Sequence, residues 1–498
     1  MLKIAPEFGI VAMYAPLKGH KKRKKVIIMG KSMEQSGRGS FRGSLGFVLA
    51  AAGSAVGLGN IWRFPALAAK NGGGLFLIVY LVLALTFGFT LLLTEVSIGR
   101  KTRQSPLTAY GKLHKKSGWI GTIACIVPFL IMPYYCAIGG WVLKYFITYI
   151  TGNGGKAVDG DFFTDFITSK GEPVALTFIF LFICAAIIFM GVNKGIEGFS
   201  KVIMPILLLL VVGIAIYSLS ISHTNEMGVT TTGSDGFLVY VVPDFESVTV
   251  KSFLVTVMDA LGQLFYSISV AMGIMIAYGS YVPDESNMVK SVNQIEIFDT
   301  VVAFLAGAMI IPAIYVFEGT EGMQQGPSLM FVALPKIFSK MGAFGNVVGV
   351  LFFGMVLFAA ITSAMSILEA VVSSLIDKFH WKRSTSTTLE SLVALAIGCI
   401  VCFGYNILYF EVKLPNGNTA QILDILDYVS NNILMPVVAL ATCILVGWIL
   451  KPMVVLEEAT KNGEKIFRAK LYKVMVKFVA PALLVFLLLL AFGVFGKM

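Results

Sequence analysis

Charge is what this sequence has least of. Asp, Glu, Lys and Arg make up only 13% of 498 residues, while 57% are hydrophobic. That balance excludes a disordered chain and an ordinary soluble domain. Histidine is nearly absent too: His20, His114, His223 and His380 fall in loops or element ends, with no metal spacing. Cysteine is scarce, with six residues (125, 136, 184, 399, 402 and 443), each inside an apolar run. Cys399-x-x-Cys402 has the spacing of a metal or redox pair. On a lipid-embedded helix without further ligands it reads as two small apolar side chains, so no disulfide and no zinc are expected. No Ser-His-Asp set, phosphate loop or full dinucleotide fingerprint is present, and no enzyme is expected.

What is present is a series of apolar runs of 18 residues or more, each able to cross ~30 Å of hydrocarbon. The short alternating segments of a barrel are missing. The expected class is an all-α polytopic membrane protein with spans near 45–68, 74–98, 119–150, 174–191, 199–221, 251–281, 296–317, 343–379, 388–408, 422–450 and 475–495. Segment 318–340, rich in Gly and Pro, is expected as an external lid and not a span. The net charge of +11 reads as positive-inside bias, not nucleic-acid binding. Basic residues gather at 100–116, 378–383 and 451–477, which places those loops in the cytoplasm; acidic loops such as 159–172 read as external. The N-terminus is then cytoplasmic and, with 11 spans, the C-terminus external. The expected division is a cytoplasmic tail (1–40), helices 1–5 (41–221), an external loop (222–250), helices 6–10 (251–450), and a basic loop with helix 11 (451–498). Lys21–Lys25 is not followed by the apolar core of a signal peptide, and Met33 offers an alternative start.

One stretch inside the first span is unlike a plain membrane helix: Gly53-Ser54-Ala55-Val56-Gly57-Leu58-Gly59-Asn60-Ile61-Trp62-Arg63. Glycine weakens a helix by roughly 1 kcal/mol relative to Ala, and Asn60 and Arg63 put an amide and a charge into the bilayer. Gly53-x-x-x-Gly57 also fits a helix-packing face, but such a face needs neither Asn60 nor Arg63. Five spans later Gln263, Ser267 and Ser269 precede Gly273 in a second interrupted run. Paired interruptions in two halves point to a transporter site at mid-membrane, and an odd offset implies inverted repeats, here 5+5 with helices 1 and 6 unwound. Asp299 lies mid-span and calls for a cation. Thr362 and Ser363 alone have the simpler reading of bonding back to their own helix.

The stretch from Ala52 to Pro65, together with Asn71-Gly72-Gly73-Gly74, Gly262–Ser267, Ala359–Ser363 and Leu423–Asp427, resembles the neurotransmitter:sodium symporter family, in its bacterial amino-acid branch, over about residues 40–495. The resemblance implies a sodium-coupled symporter with two sodium sites. The first would use Ala55, Asn60, Ser267 and Asp299; the second Gly53, Val56, Ala359, Thr362 and Ser363. The substrate carboxylate would meet Leu58, Gly59 and Tyr135, and its amine Ala55, Tyr266, Ser267 and Ser269. Ile131, Tyr266, Met272, Ala364 and Ile367 would line the side-chain pocket, which suits a large hydrophobic or aromatic amino acid. Arg63 and Asp427 would close the outer gate, directly or through water; Arg38, Phe41 and Asp377 would close the inner one. Asp299 stands where chloride-dependent relatives carry Asn, and Ala303 where they carry Ser. Transport independent of chloride is expected, with a proton carried at Asp299 on the return step. The implied setting is a bacterial inner membrane, as a monomer or loose dimer. A proton-driven carrier or exchanger of the same fold, and a non-transporting amino-acid sensor, are the alternatives.

Overall fold

The computed structural model describes residues 39–224, 228–245, 248–319, 322 and 328–494. Arg38 and the rest of segment 1–38 lie outside them. Among the described residues nine helices are long and apolar enough to cross a membrane. They are Gly74–Thr102 (span 2), Lys115–Ile150 (span 3), Glu172–Phe189 (span 4), Val192–Ser220 (span 5), Met288–Glu318 (span 7), Gly345–Phe379 (span 8), Arg383–Phe403 (span 9), Ile422–Ile449 (span 10) and Ala469–Ala491 (span 11). Two further spans are broken. Span 1 consists of Ser44–Ala55 and Gly59–Lys70, bent by 53°. Span 6 consists of Val250–Ser267 and Ile274–Ser280. The molecule is therefore an all-α polytopic membrane protein with nine candidate spans among the described residues, or ten when the bent pair is counted as one; with Val250–Ser280 taken as the sixth, the two breaks lie five spans apart.

The breaks follow from local chemistry. In span 1 the last regular bond runs from the Val56 amide to the Ala52 carbonyl at 2.7 Å; Val56 then leaves helical geometry. The carbonyls that follow lose their partners four residues on, as at any helix end. In span 6 the chain passes through Ser269 (φ 54°), Ala271 (φ 62°) and Gly273 (φ 75°). Left-handed conformations cost non-glycine residues about 1–2 kcal/mol, so Ser269 and Ala271 must be held by other contacts. The Ala271 amide finds one: it donates to Glu95 Oε1 of span 2 at 2.7 Å. Span 2 also packs tightly on the second half of span 6. A Cβ at Gly99 would collide with the Ile276 carbonyl, and one at Gly279 with the Val96 carbonyl.

Among the described residues, segment 318–340 holds two short helices, Leu329–Ala333 and Leu334–Lys340, and no helix long enough to be a span. Phe331 seats it among Trp62, Trp141, Tyr145, Phe163 and Phe353, and Tyr145 donates to the Phe331 carbonyl at 2.7 Å. The segment after span 5, expected as an external loop, differs from expectation. Its acidic residues suggest a polar loop, yet it contains the helix Gly233–Val241, capped by Thr232 and Asp235, with Leu238 and Val239 exposed.

Candidate functional site

The two breaks face each other, and Asp299 of span 7 lies behind them. Asn60, Ser267 and Asp299 are fully or almost fully buried. The Asn60 amide donates to Asp299 Oδ1 at 2.8 Å. The Ser267 hydroxyl lies 2.7 Å from that same oxygen and 3.1 Å from Asn60 Oδ1. A hydroxyl has one hydrogen, so one of these two oxygen–oxygen contacts has no proton in it. Tyr80 of span 2 donates to Asp299 Oδ2 at 3.3 Å. Every partner of this carboxylate is a neutral donor. A buried anion so placed is costly without positive charge, and the oxygens around it are those a hard cation takes.

A second oxygen group joins spans 1, 6 and 8. The Ser54 carbonyl, freed by the helix end, accepts from Ser269 at 3.0 Å and from Ser363 at 3.1 Å. The Ser54 and Ser269 hydroxyls are 3.1 Å apart. The Thr362 hydroxyl turns back to its own helix, 3.0 Å from the Ala359 carbonyl and 3.1 Å from that of Phe358. Gly53 abuts Thr362: an added Cβ would lie 3.3 Å from the threonine Cβ. Gly53, Ala359, Thr362 and Ser363 are thus brought together, and Val56 ends the same half-helix.

Between the groups is a cavity of about 20 Å³. That is room for a single water, so the side chains stand closed around it. Ala55, Gly59, Ile131, Tyr135, Tyr266, Ser269, Met272 and Ile367 line it. Leu58, Ser267 and Ala364 are buried but are not part of its wall. Ser54, Gly57, Asn60, Ile274 and Ser363 are. The Tyr135 hydroxyl is buried and faces the Leu58 amide and Ser363 without closing a hydrogen bond of ordinary geometry. Gly59 opens the second half-helix, whose amide end favours an anion. A Cβ at Gly59 would collide with the Tyr266 ring, which therefore seals directly against the backbone.

Sequence reasoning missed Tyr80, Glu95 and Ser54. Glu95 carried a usable signal, an acid inside an apolar run; one of its oxygens, Oε2, is buried without a partner. Tyr80 and Ser54 carried none, since each needs the fold to bring its partner near. Gln263, noted only as polar, donates to the Gly59 carbonyl at 3.0 Å and so ties the two broken spans together.

Of the gate residues, Arg63 lies with its guanidinium carbon 5.9 Å from the Tyr266 ring centroid. Asp427 is instead bonded by Asn431 at 2.6 Å and Tyr134 at 3.2 Å. No direct ion pair joins Arg63 to Asp427 among the described residues. Asp424 caps the start of its own helix through the Gln421 amide at 3.0 Å. On the opposite side Phe41 packs on Phe47, Tyr278 and Tyr281. Asp377 accepts the Ser105 amide at 2.6 Å.

Comparison with known proteins places this arrangement. The model of the sodium:neurotransmitter symporter family matches residues 38–155 and 162–497. A sodium-dependent transporter of Bacillus subtilis is 33% identical over 462 residues, covering 90% of this chain and 97% of the relative. One of Methanocaldococcus jannaschii is 32% identical over 443 residues, covering 86% and 85%. The crystal structure of MhsT in complex with L-phenylalanine superposes with a TM-score of 0.79 at 32% identity, covering 91% of this chain and all of the other. Two membrane helices broken opposite one another, an oxygen-lined cavity between them and a match along nearly the whole chain agree: the chain belongs to the sodium:neurotransmitter symporter family.

Proposed function

We propose that this protein is a sodium-coupled symporter that imports a large hydrophobic or aromatic amino acid by alternating access. The observation that carries this is the cluster of Asn60, Ser267 and Asp299 at the span 1 and span 6 breaks, where one hydroxyl hydrogen is shared by two buried acceptors. Sodium replaces the missing positive charge there. The first site takes the Ala55 carbonyl, Asn60, Ser267 and Asp299. The second takes carbonyls of Gly53, Val56 and Ala359 and the hydroxyls of Thr362, which turns from its helix-internal bonds, and Ser363, which turns from the Ser54 carbonyl, toward the ion. The substrate carboxylate meets Gly59 and the free Tyr135 hydroxyl, beside Leu58. Its side chain lies against Ile131, Met272 and Ile367, with Ala364 behind them. This apolar wall and the phenylalanine named for the MhsT structure both support the substrate class.

Asp299 supplies the anion within the protein, and Ala303 leaves no hydroxyl one turn on, so transport needs no chloride. Asp299 takes a proton on the return step. Each sodium contributes ~2.3 kcal/mol at 100 mV and ~1.4 kcal/mol for a tenfold gradient. Two ions supply ~7 kcal/mol; the proton carried outward against the potential takes back ~2.3 kcal/mol, which leaves ~5 kcal/mol, enough for about 10⁴-fold accumulation of a zwitterion. Residues 41–221 and 251–450 form the two inverted halves. The N-terminus faces the cytoplasm and the C-terminus the exterior of a bacterial inner membrane.

The test is uptake into proteoliposomes, after a thermal-shift screen of the twenty amino acids with and without sodium. Stabilisation by large apolar amino acids only in sodium, uptake lost in choline, and uptake unchanged in gluconate are the expected results. Uptake unaffected by choline would refute sodium coupling, and a strict chloride requirement would refute the role of Asp299.

A further inference from the structure

We propose that the external helix Gly233–Val241 builds a binding site for an anionic phospholipid of the outer leaflet. The helix is clamped in place. A Cβ at Gly73 would collide with the Val239 carbonyl, and one at Gly74 with the Val241 carbonyl, so backbone lies directly on backbone at the start of span 2. Gly73 also pairs with Pro243 as an isolated bridge. At the other side Tyr240 fills the notch at Gly307 and donates to the Phe304 carbonyl at 3.0 Å. The helix therefore spans the outer ends of spans 2 and 7 and cannot swing away.

Its outward stripe changes character along the axis. Ser234 and Asp235 begin it; one turn later, on the same face, come Leu238 (55% exposed) and Val239 (45%), then Val242 (55%). Leu238, Val239 and Val242, with Ile311 and Tyr315, line a mostly apolar cavity of about 530 Å³. The cavity adjoins surface that already faces hydrocarbon. Phe304 stacks near Tyr240 at 5.5 Å, and Val301 on span 7 and Ile78 and Leu81 on span 2 are exposed and apolar. Exposed apolar area continuous with membrane spans is covered by acyl chains.

A second cavity of about 360 Å³ shares Gly72 and Asp244 with the first and is more polar. Lys70, Lys251, Thr249 and Ser252 line it beside Leu75, Val248 and Val255. Lys70 is 3.3 Å from Asp259 and so partly neutralised; Lys251 makes no ion pair with another described residue. An apolar trough joined to a lysine-bearing polar one has the chemistry of a single amphiphile with a phosphate.

The experiment places Trp at Leu238 (Leu238→Trp) or at Ser234 (Ser234→Trp) in the full chain, reconstituted in nanodiscs. The lipids are phosphatidylglycerol or phosphatidylcholine with brominated acyl chains. The fluorescence added over the parent protein is expected to fall about twofold or more at position 238 and little at 234, as for a residue below the headgroups. The loss should be greater in phosphatidylglycerol, and Lys251→Gln should remove that preference. Equal quenching at 234 and 238, equal quenching in the two lipids, or shielding of position 238 in lipid-free detergent at twice the monomer mass would each overturn the proposal.

Discussion

In the proposed function a single residue, Asp299, sets ion use. Its carboxylate is held by Asn60, Ser267 and Tyr80, three donors from three different spans. Asp299→Asn keeps the shape and removes the charge. Uptake in chloride-free buffer should then fall by at least tenfold, since hydrogen bonds to charged groups are worth about 1.5–3 kcal/mol, and added chloride should restore part of it. Proteoliposome uptake in chloride and gluconate checks this. Gly59 is the backbone counterpart. Its missing side chain admits the Tyr266 ring, and Gly59→Ala must push that ring into the cavity. The expected outcome is a protein that still folds but is stabilised by substrate about tenfold less tightly, read by titrating amino acid in a thermal-shift assay.

Among elements, the broken span 6 rests on span 2. Glu95 receives the Ala271 amide, and Gly99 and Gly279 let the two backbones touch. Gly99→Ala would place a methyl group against the Ile276 carbonyl, which is main chain and cannot rotate aside. Overpacking of this kind costs about 1–3 kcal/mol, so the melting temperature should drop by several degrees. Ala271→Gly acts on the same break in the opposite sense. It relieves a left-handed alanine at φ 62°, against a loss of at most about 1 kcal/mol from the more flexible unfolded chain. Unchanged or raised thermal stability is expected. The pair separates close packing from backbone strain within one element.

For the molecule as a whole, ion pairs hold the segment between spans 6 and 7 to the one between spans 10 and 11. Asp284 pairs with Lys461 at 2.5 Å and with Arg103. The Lys461 hydrogen bond first, and then Arg103, hold its carboxyl below the ordinary range against a smaller opposing effect of burial. A depressed folded value means that the pair stabilises the protein above the unfolded carboxyl's value. That contribution is lost as pH falls through the folded one. Asp284→Asn should therefore lower the melting temperature slightly at neutral pH. The difference from the parent should vanish at acid pH below both values. Because Asp284 is 63% exposed, water screens the pair and the effect is small, under about 1 kcal/mol. Melting curves of the two proteins across pH check it. Deeper in the same region, Arg100 is fully buried and paired with Glu458 at 2.8 Å. The basic residues that mark the loops in sequence are thus in part structural clamps.

The apolar runs, the breaks at Val56 and Gly273 and the oxygen-bearing residues were legible in the chain. Hydrocarbon demands long runs whose backbone is satisfied internally, and any Gly, Ser or Asn within one stands out. Most of the cavity wall was legible too, because it lies within a few residues of those breaks. What needed the tertiary structure was everything that depends on a partner far along the chain. Tyr80 is an unremarkable aromatic until span 7 brings Asp299 to it. Ser54 matters only because spans 6 and 8 deliver two hydroxyls to its carbonyl. The helix Gly233–Val241 was hidden by its acidic flanks, and its apolar face acquires meaning from the spans it lies across. Sequence determined which groups would be costly in a membrane; only the fold decided which of them meet, since a buried polar atom is satisfied across space and not along the chain.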